Sequence, residues 1–119
     1  IAIMDIDYFK KINDTYGHLT GDEVLREFSK RINQTKRSDD LLCRYGGEEF
    51  VLILGETTID EAREIALECN QAVLKDKFST SAGEIAVTVS IGIAQLPLAD
   101  QLIGCNELMA MADVLLYQA

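Results

Sequence analysis

Tryptophan is absent from this 119-residue chain, proline and histidine occur once each, and the three cysteines, Cys43, Cys69 and Cys105, form no Cys-x-x-Cys pair. An odd, scattered set of cysteines supplies neither a disulfide framework nor a zinc site, and fits a reducing, cytoplasmic setting. Basic side chains are also scarce. Eleven Lys and Arg against twenty Asp and Glu leave a formal charge of −9, the wrong sign for a domain that coats a nucleic-acid polymer or anionic lipid. A phosphate-bearing ligand must therefore be met locally, through divalent cations. Long apolar runs are missing too: Ile1 to Met4 and Val51 to Leu54 fall far short of the roughly 20 residues that cross a bilayer. No repeat, low-complexity stretch or Ser/Pro-rich linker interrupts the chain, so residues 1–119 read as one domain. With 48% apolar and 26% charged residues, that domain can bury a core.

The periodicities give an element order. Ile1 to Ile6 reads as a buried strand that runs into the carboxylates Asp5 and Asp7. Phe9, Ile12 and Tyr16 mark one or two helical turns ending in a loop at Gly17-His18. Thr20-Gly21-Asp22-Glu23 has the spacing of a capping box, followed by a helix through about Lys36 on Val24, Leu25, Phe28 and Ile32. Leu41 to Tyr45 and Phe50 to Leu54 form a hairpin through Gly46-Gly47, a dipeptide that can supply positive φ angles. A second long helix starts near Thr58 or Asp60, with Ile65, Cys69 and Val73 on its apolar face. Glu84 to Leu96 reads as one long strand after a turn at Ala82-Gly83, and Leu108, Met111 and Leu115 mark a final helix. This order predicts an α+β, ferredoxin-like split βαβ fold, with helices on a mainly antiparallel sheet.

Chemistry gathers at two places, the end of the first strand and the turn Arg44-Tyr45-Gly46-Gly47-Glu48-Glu49-Phe50. In a split βαβ sheet the first strand is central, so the hairpin tip can stand beside its end. Asp5 and Glu48 would then make an oxygen-rich site suited to Mg²⁺ or Mn²⁺, and bare glycine backbone would admit a triphosphate. Taken alone, the turn is equally an ordinary Gly-Gly hairpin with solvated acidic flanks. Asp22 likewise reads as a first-turn acid beside the Thr20 cap, and His18 as structural.

The chain resembles the GGDEF family, the diguanylate cyclases, over essentially its whole length. The resemblance rests on Asp5-Ile6-Asp7-Tyr8-Phe9-Lys10-Lys11-Ile12-Asn13-Asp14, Gly17-His18, Gly21-Asp22, the GGEEF form of the signature at 46–50, Val89-Ser90-Ile91-Gly92-Ile93, and Ala112-Asp113 with Leu116-Tyr117. It implies a palm-like fold and condensation of two GTP into cyclic di-GMP with loss of two pyrophosphates, between two domains meeting as a homodimer. It implies metal ligation by Asp5, the main-chain carbonyl of Ile6 and Glu48, with Glu49 supporting the metal or the attacking hydroxyl. Asn13 and Asp22 would select guanine, Lys10 would contact phosphate, and Gly46 and Gly47 would line the substrate. Arg37-Ser38-Asp39-Asp40 resembles the family's RxxD motif, so Arg37 and Asp40 would bind the product in feedback inhibition. Relatives often complete that site with a basic residue on the next helix, whereas Arg63 to Glu68 here is mainly acidic. An upstream sensory or receiver domain is expected as a partner. The family pattern also extends beyond both ends, including a phosphate-contacting Lys after Ala119, so the domain is expected to be truncated at both ends. The alternative expectation is a GGDEF receptor that binds GTP or cyclic di-GMP without turnover.

Overall fold

The computed structural model describes residues 1–55 and 57–94. Strand β1 (Ala2–Ile6) leads into helices α1 (Phe9–Tyr16) and α2 (His18–Thr35), then strands β2 (Leu41–Arg44) and β3 (Glu49–Ile53). Helix α3 (Ile59–Lys75) follows, then β4 (Phe78–Thr80), β5 (Gly83–Ile85) and β6 (Val89–Ile93). The main sheet has the order β2-β3-β1-β6 with every pairing antiparallel. That is the split βαβ arrangement: β3 lies between β1 and β2, which α1 and α2 connect.

The alternation of β1 explains the layering. Ala2, Met4 and Ile6 face a single core with Phe9 and Ile12 of α1, Val24, Leu25, Phe28 and Ile32 of α2, and Ile65, Cys69 and Val73 of α3. Phe28 is fully buried and meets Phe50 of β3 at a ring-centroid distance of 4.9 Å. Burying such a ring contributes about 2–3 kcal/mol. Ile3 and Val51, on the opposite face, are buried as well. Cys69 is core filler as its position predicts, and burial pushes its thiol pKa up to about 11, so the group stays protonated and inert at neutral pH.

Five local expectations need correction. Helix α2 begins at His18 with Gly17 as its N-cap, without a side-chain cap. Thr20 is buried inside the helix, so there is no capping box, and Asp22 lies beyond the first turn. The loop expected at Gly17-His18 shrinks to Gly17, whose φ of 93° lets one residue end α1 and open α2. Gly46 and Gly47 are not left-handed, because only Gly17 and Gly83 among the described glycines have positive φ. A four-residue turn replaces the tight one, closed by Tyr45 and Gly46 N–H groups donating to the Glu49 carbonyl at 2.8 and 3.2 Å. Finally, the strand expected over 84–96 is broken. β5 pairs with β4 in a separate two-stranded ribbon turned at Gly83, and only β6 joins the main sheet. Tyr16, expected on the apolar stripe of α1, is half-exposed. The final helix on Leu108, Met111 and Leu115 lies outside the described residues.

The Thr58 start of α3 is realised: its hydroxyl accepts the Glu61 N–H at 3.2 Å, and Asp60 and Glu61 occupy the first turn. Glu23 of α2 holds the β4–β5 ribbon by accepting from the main-chain N–H and hydroxyl of Ser81. Those hydrogen bonds lower the carboxyl pKa of Glu23. A depressed carboxyl pKa means that this tie supports the fold above the ordinary Glu range and is lost as pH falls through the folded value.

Candidate active site at the glycine turn

The end of β1 and the glycine turn form one place. Register sets Asp5 directly opposite Glu49 on β3 and Ser90 on β6. One step on, the Ile6 N–H donates to the Glu48 carbonyl at 3.2 Å, and the Asp7 N–H donates the other way, to the Thr88 carbonyl at 3.0 Å. The Ile6–Asp7 peptide is planar and trans, so the Ile6 carbonyl points opposite to the Asp7 N–H and faces the β3 side where Glu48 stands. Asp5, the Ile6 carbonyl, Glu48 and Glu49 thus share one end of the sheet, and the three acidic residues are half-buried. Asp7 is set apart: its two oxygens accept from the Thr88 hydroxyl at 2.7 Å and the Ser90 hydroxyl at 2.6 Å.

The turn is braced from within. Arg44 donates to the carbonyls of Gly46 and Gly47 at 3.1 and 2.9 Å. Neither glycine is demanded by the fold: a Cβ on Gly47 would meet nothing within 4 Å, and one on Gly46 only the Glu49 side chain, at 3.8 Å and beyond. What the missing side chains leave is open approach to the main chain.

Asn13 and Asp22 sit where α1 meets α2. A Cβ on Gly21 would collide with Asn13 Oδ1, so the amide occupies the space that only glycine leaves. That oxygen is buried with no hydrogen-bond partner among the described residues, a state that costs about 1–3 kcal/mol unless a donor reaches it. Asp22 is exposed beside it, with Lys10 on the exposed side of α1. Helical spacing puts Lys10 on the same side as Asn13. Lys11, Tyr8 and Tyr16 instead line a separate groove of about 370 Å³ against Ile85. Gly21→Ala is expected to destabilise the domain by roughly 1–3 kcal/mol by driving a methyl into the Asn13 amide. Urea unfolding measures this, and an unchanged midpoint would contradict the packing.

Arg37 and Asp40 lie at the other end of β2, about 13 Å along the strand from the turn. Asp40 is buried and accepts from Arg37 Nε and Nη2, both at 3.0 Å, while the Arg37 main-chain N–H donates to it at 3.1 Å. The guanidinium also donates to Thr57 Oγ1 at 2.5 Å. The hydrogen bonds to Asp40 raise the Arg37 pKa.

No group of three His, Cys, Asp or Glu side chains among the described residues could hold a metal ion unaided. A cation at Asp5 and Glu48 would take its remaining oxygens from main chain, water and a nucleotide, the usual manner of Mg²⁺; the donor set fits that ion. Sequence reasoning missed the Asp7–Thr88–Ser90 cluster and the Arg44 brace. The available signal was hydroxyls alternating with valines in Val87-Thr88-Val89-Ser90, on the strand that pairs with β1.

Comparison with known proteins places this architecture. The family model for the diguanylate cyclase GGDEF domain matches residues 1–119. The chain is 44% identical over 117 residues to the response regulator PleD of Caulobacter vibrioides, covering 98% of this chain and 26% of that protein. It is 38% identical over 119 residues to diguanylate cyclase A of Treponema denticola, covering 100% of this chain and 32% of the relative. The chain therefore spans about a third or less of these relatives. Among solved structures, the GGDEF domain of DgcB from Caulobacter crescentus in complex with c-di-GMP superposes with a TM-score of 0.86 at 32% identity, covering 98% of this chain and 68% of that one. The active GGEEF domain of a diguanylate cyclase from Vibrio cholerae gives a TM-score of 0.84 at 30% identity, covering 99% and 73%. With the palm-like α+β sheet, the glycine turn beside β1 and these matches, the chain belongs to the GGDEF family of diguanylate cyclases.

Proposed function

We propose that this domain condenses two GTP molecules into cyclic di-GMP, releasing two pyrophosphates, in a metal-dependent reaction between two copies of the domain. The observation that carries the reading is the Ile6–Glu48 hydrogen bond, which joins the end of β1 to a glycine turn whose glycines the fold itself does not require. Asp5, the Ile6 carbonyl and Glu48 are the proposed ligands of Mg²⁺ or Mn²⁺, and Glu49 supports them. When bound, such cations neutralise triphosphate charge and favour ionisation of the attacking hydroxyl. The chain's own work is placement: Gly46 and Gly47 admit the triphosphate to the main chain, and Lys10 offers its ammonium to a phosphate. In each half-reaction a 3′-oxygen of one GTP bonds to the α-phosphorus of the other as pyrophosphate leaves. Because one domain holds one GTP and the product is two-fold symmetric, two domains meet face to face.

Guanine selection falls to Asn13 and Asp22. The unpartnered Asn13 oxygen needs a donor, which guanine N–H groups provide, and the Asp22 carboxylate can accept from N1–H and N2–H together, a donor pair adenine lacks. Arg37 and Asp40 are the proposed product-inhibition site; guanine would have to compete there with their mutual ion pair. Asp22→Ala is expected to lower the preference for GTP over ATP by about tenfold or more. Competition binding measures it, and unchanged discrimination would remove Asp22 from this role. Upstream control by a sensory or receiver domain belongs to the same reading. Among the described residues no helix is long and apolar enough to cross a membrane.

A further inference from the structure

Asp5 and Asp7 look interchangeable in sequence, two carboxylates at one strand end, yet the structure gives them different surroundings. Both oxygens of Asp7 are taken by hydroxyls of the neighbouring strand segment, Oδ2 by Thr88 and Oδ1 by Ser90, at 2.7 and 2.6 Å. Its main-chain N–H is taken by the Thr88 carbonyl at 3.0 Å. Asp7 and Thr88 therefore form the next rung of the β1–β6 ladder, after Asp5↔Ser90 and Ile6↔Val89. Immediately afterwards the chain leaves the strand through Tyr8, a non-glycine residue at φ 57°, which is costly unless its neighbours hold it.

We propose that Asp7, with Thr88 and Ser90, is a positioning residue for the site, an inference that rests on the cyclase reading above. The three side chains clamp the Ile6–Asp7 peptide plane against β6, and that plane fixes where the Ile6 carbonyl points. The same clamp holds Ser90 opposite Asp5, so it orients two of the proposed ligands without touching the ion. Groups that orient ligands in this way are worth about 10–100-fold in metal affinity or activity when removed.

The test compares Asp7→Ala, Asp7→Asn, Asp5→Asn and the double variant Thr88→Val/Ser90→Ala in the intact protein. Two readouts need no turnover: amide hydrogen exchange across residues 6–9, and binding of Mn²⁺ with GTP followed by the electron paramagnetic resonance of the ion. An asparagine at position 7 can accept from Ser90 and donate to the Thr88 hydroxyl, so it preserves the clamp without the charge. Asp7→Ala and the double variant should exchange about tenfold faster at this turn and bind Mn²⁺–GTP about 10–100-fold more weakly. Asp7→Asn should stay within about threefold of the parent in both, while Asp5→Asn should lose Mn²⁺–GTP binding without faster exchange. If Asp7→Asn is as damaging to ion binding as Asp5→Asn, Asp7 is a ligand and the proposal is overturned. Silence of the double variant in both readouts overturns it equally. Failure of the parent protein to bind Mn²⁺–GTP would instead sink the cyclase reading, and the exchange rates would still decide whether the clamp exists.

Discussion

Glu48→Gln is expected to reduce cyclic di-GMP formation by about 1,000-fold, since removing one of the charges proposed to hold the cation forfeits several kcal/mol of transition-state stabilisation. The same substitution should leave folding nearly untouched. What β1 takes from residue 48 is its main-chain carbonyl, which accepts the Ile6 N–H at 3.2 Å, and glutamine keeps that group. Turnover by chromatography beside a urea midpoint separates the two effects. Normal product formation by the variant would remove Glu48 from the site, and a large midpoint shift would show that its carboxylate has a structural task instead.

The second large effect concerns stability. The C-terminal end of α3 carries carbonyls that its own helix cannot satisfy, and Arg31 of α2 reaches across to them. Its guanidinium donates to the carbonyls of Val73 at 3.0 Å, Asp76 at 2.7 Å, and Ala72 and Lys77 at 3.3 and 3.2 Å. It also pairs with Glu27 at 3.0 Å and stacks 4.0 Å over the Phe78 ring. One side chain thus joins α2, α3 and β4. Arg31→Met preserves the apolar stem and deletes the donors, with an expected loss of about 3 kcal/mol in unfolding free energy. Lysine should not restore it, because a single ammonium cannot match the planar fork that spans these acceptors. A urea midpoint unchanged by Arg31→Met would refute this role.

How much of this was legible beforehand depended on where each interaction partner lies. The apolar alternation of β1, the helical spacing of Val24, Phe28 and Ile32, and the hairpin around Gly46-Gly47 are local patterns, and they sufficed for the split βαβ topology. The members of the proposed site were named from ordered motifs, and the topology sets Asp5 and Glu48 at one end of the sheet. Apart from the Arg44 brace, which is local, the missed features depended on distant partners. Asp7 is separated from Ser90 by most of the chain, and Arg31 caps a helix more than forty residues away. The Thr20 cap failed because Gly17, at φ 93°, lets α2 start earlier and carries Thr20 into the core. The single strand expected over 84–96 failed because β5, after the expected turn, pairs only with β4 and ends at Ile85, and strand geometry resumes at Val89 beside β1, a break that alternation alone cannot reveal.

The most direct test is to incubate the protein with GTP and Mg²⁺ and to resolve the nucleotides by chromatography. Cyclic di-GMP appearing with two pyrophosphates per product, and disappearing when Mg²⁺ is chelated, is the predicted result. Tight binding of GTP or cyclic di-GMP with no product at any protein concentration would contradict the cyclase reading and identify a receptor.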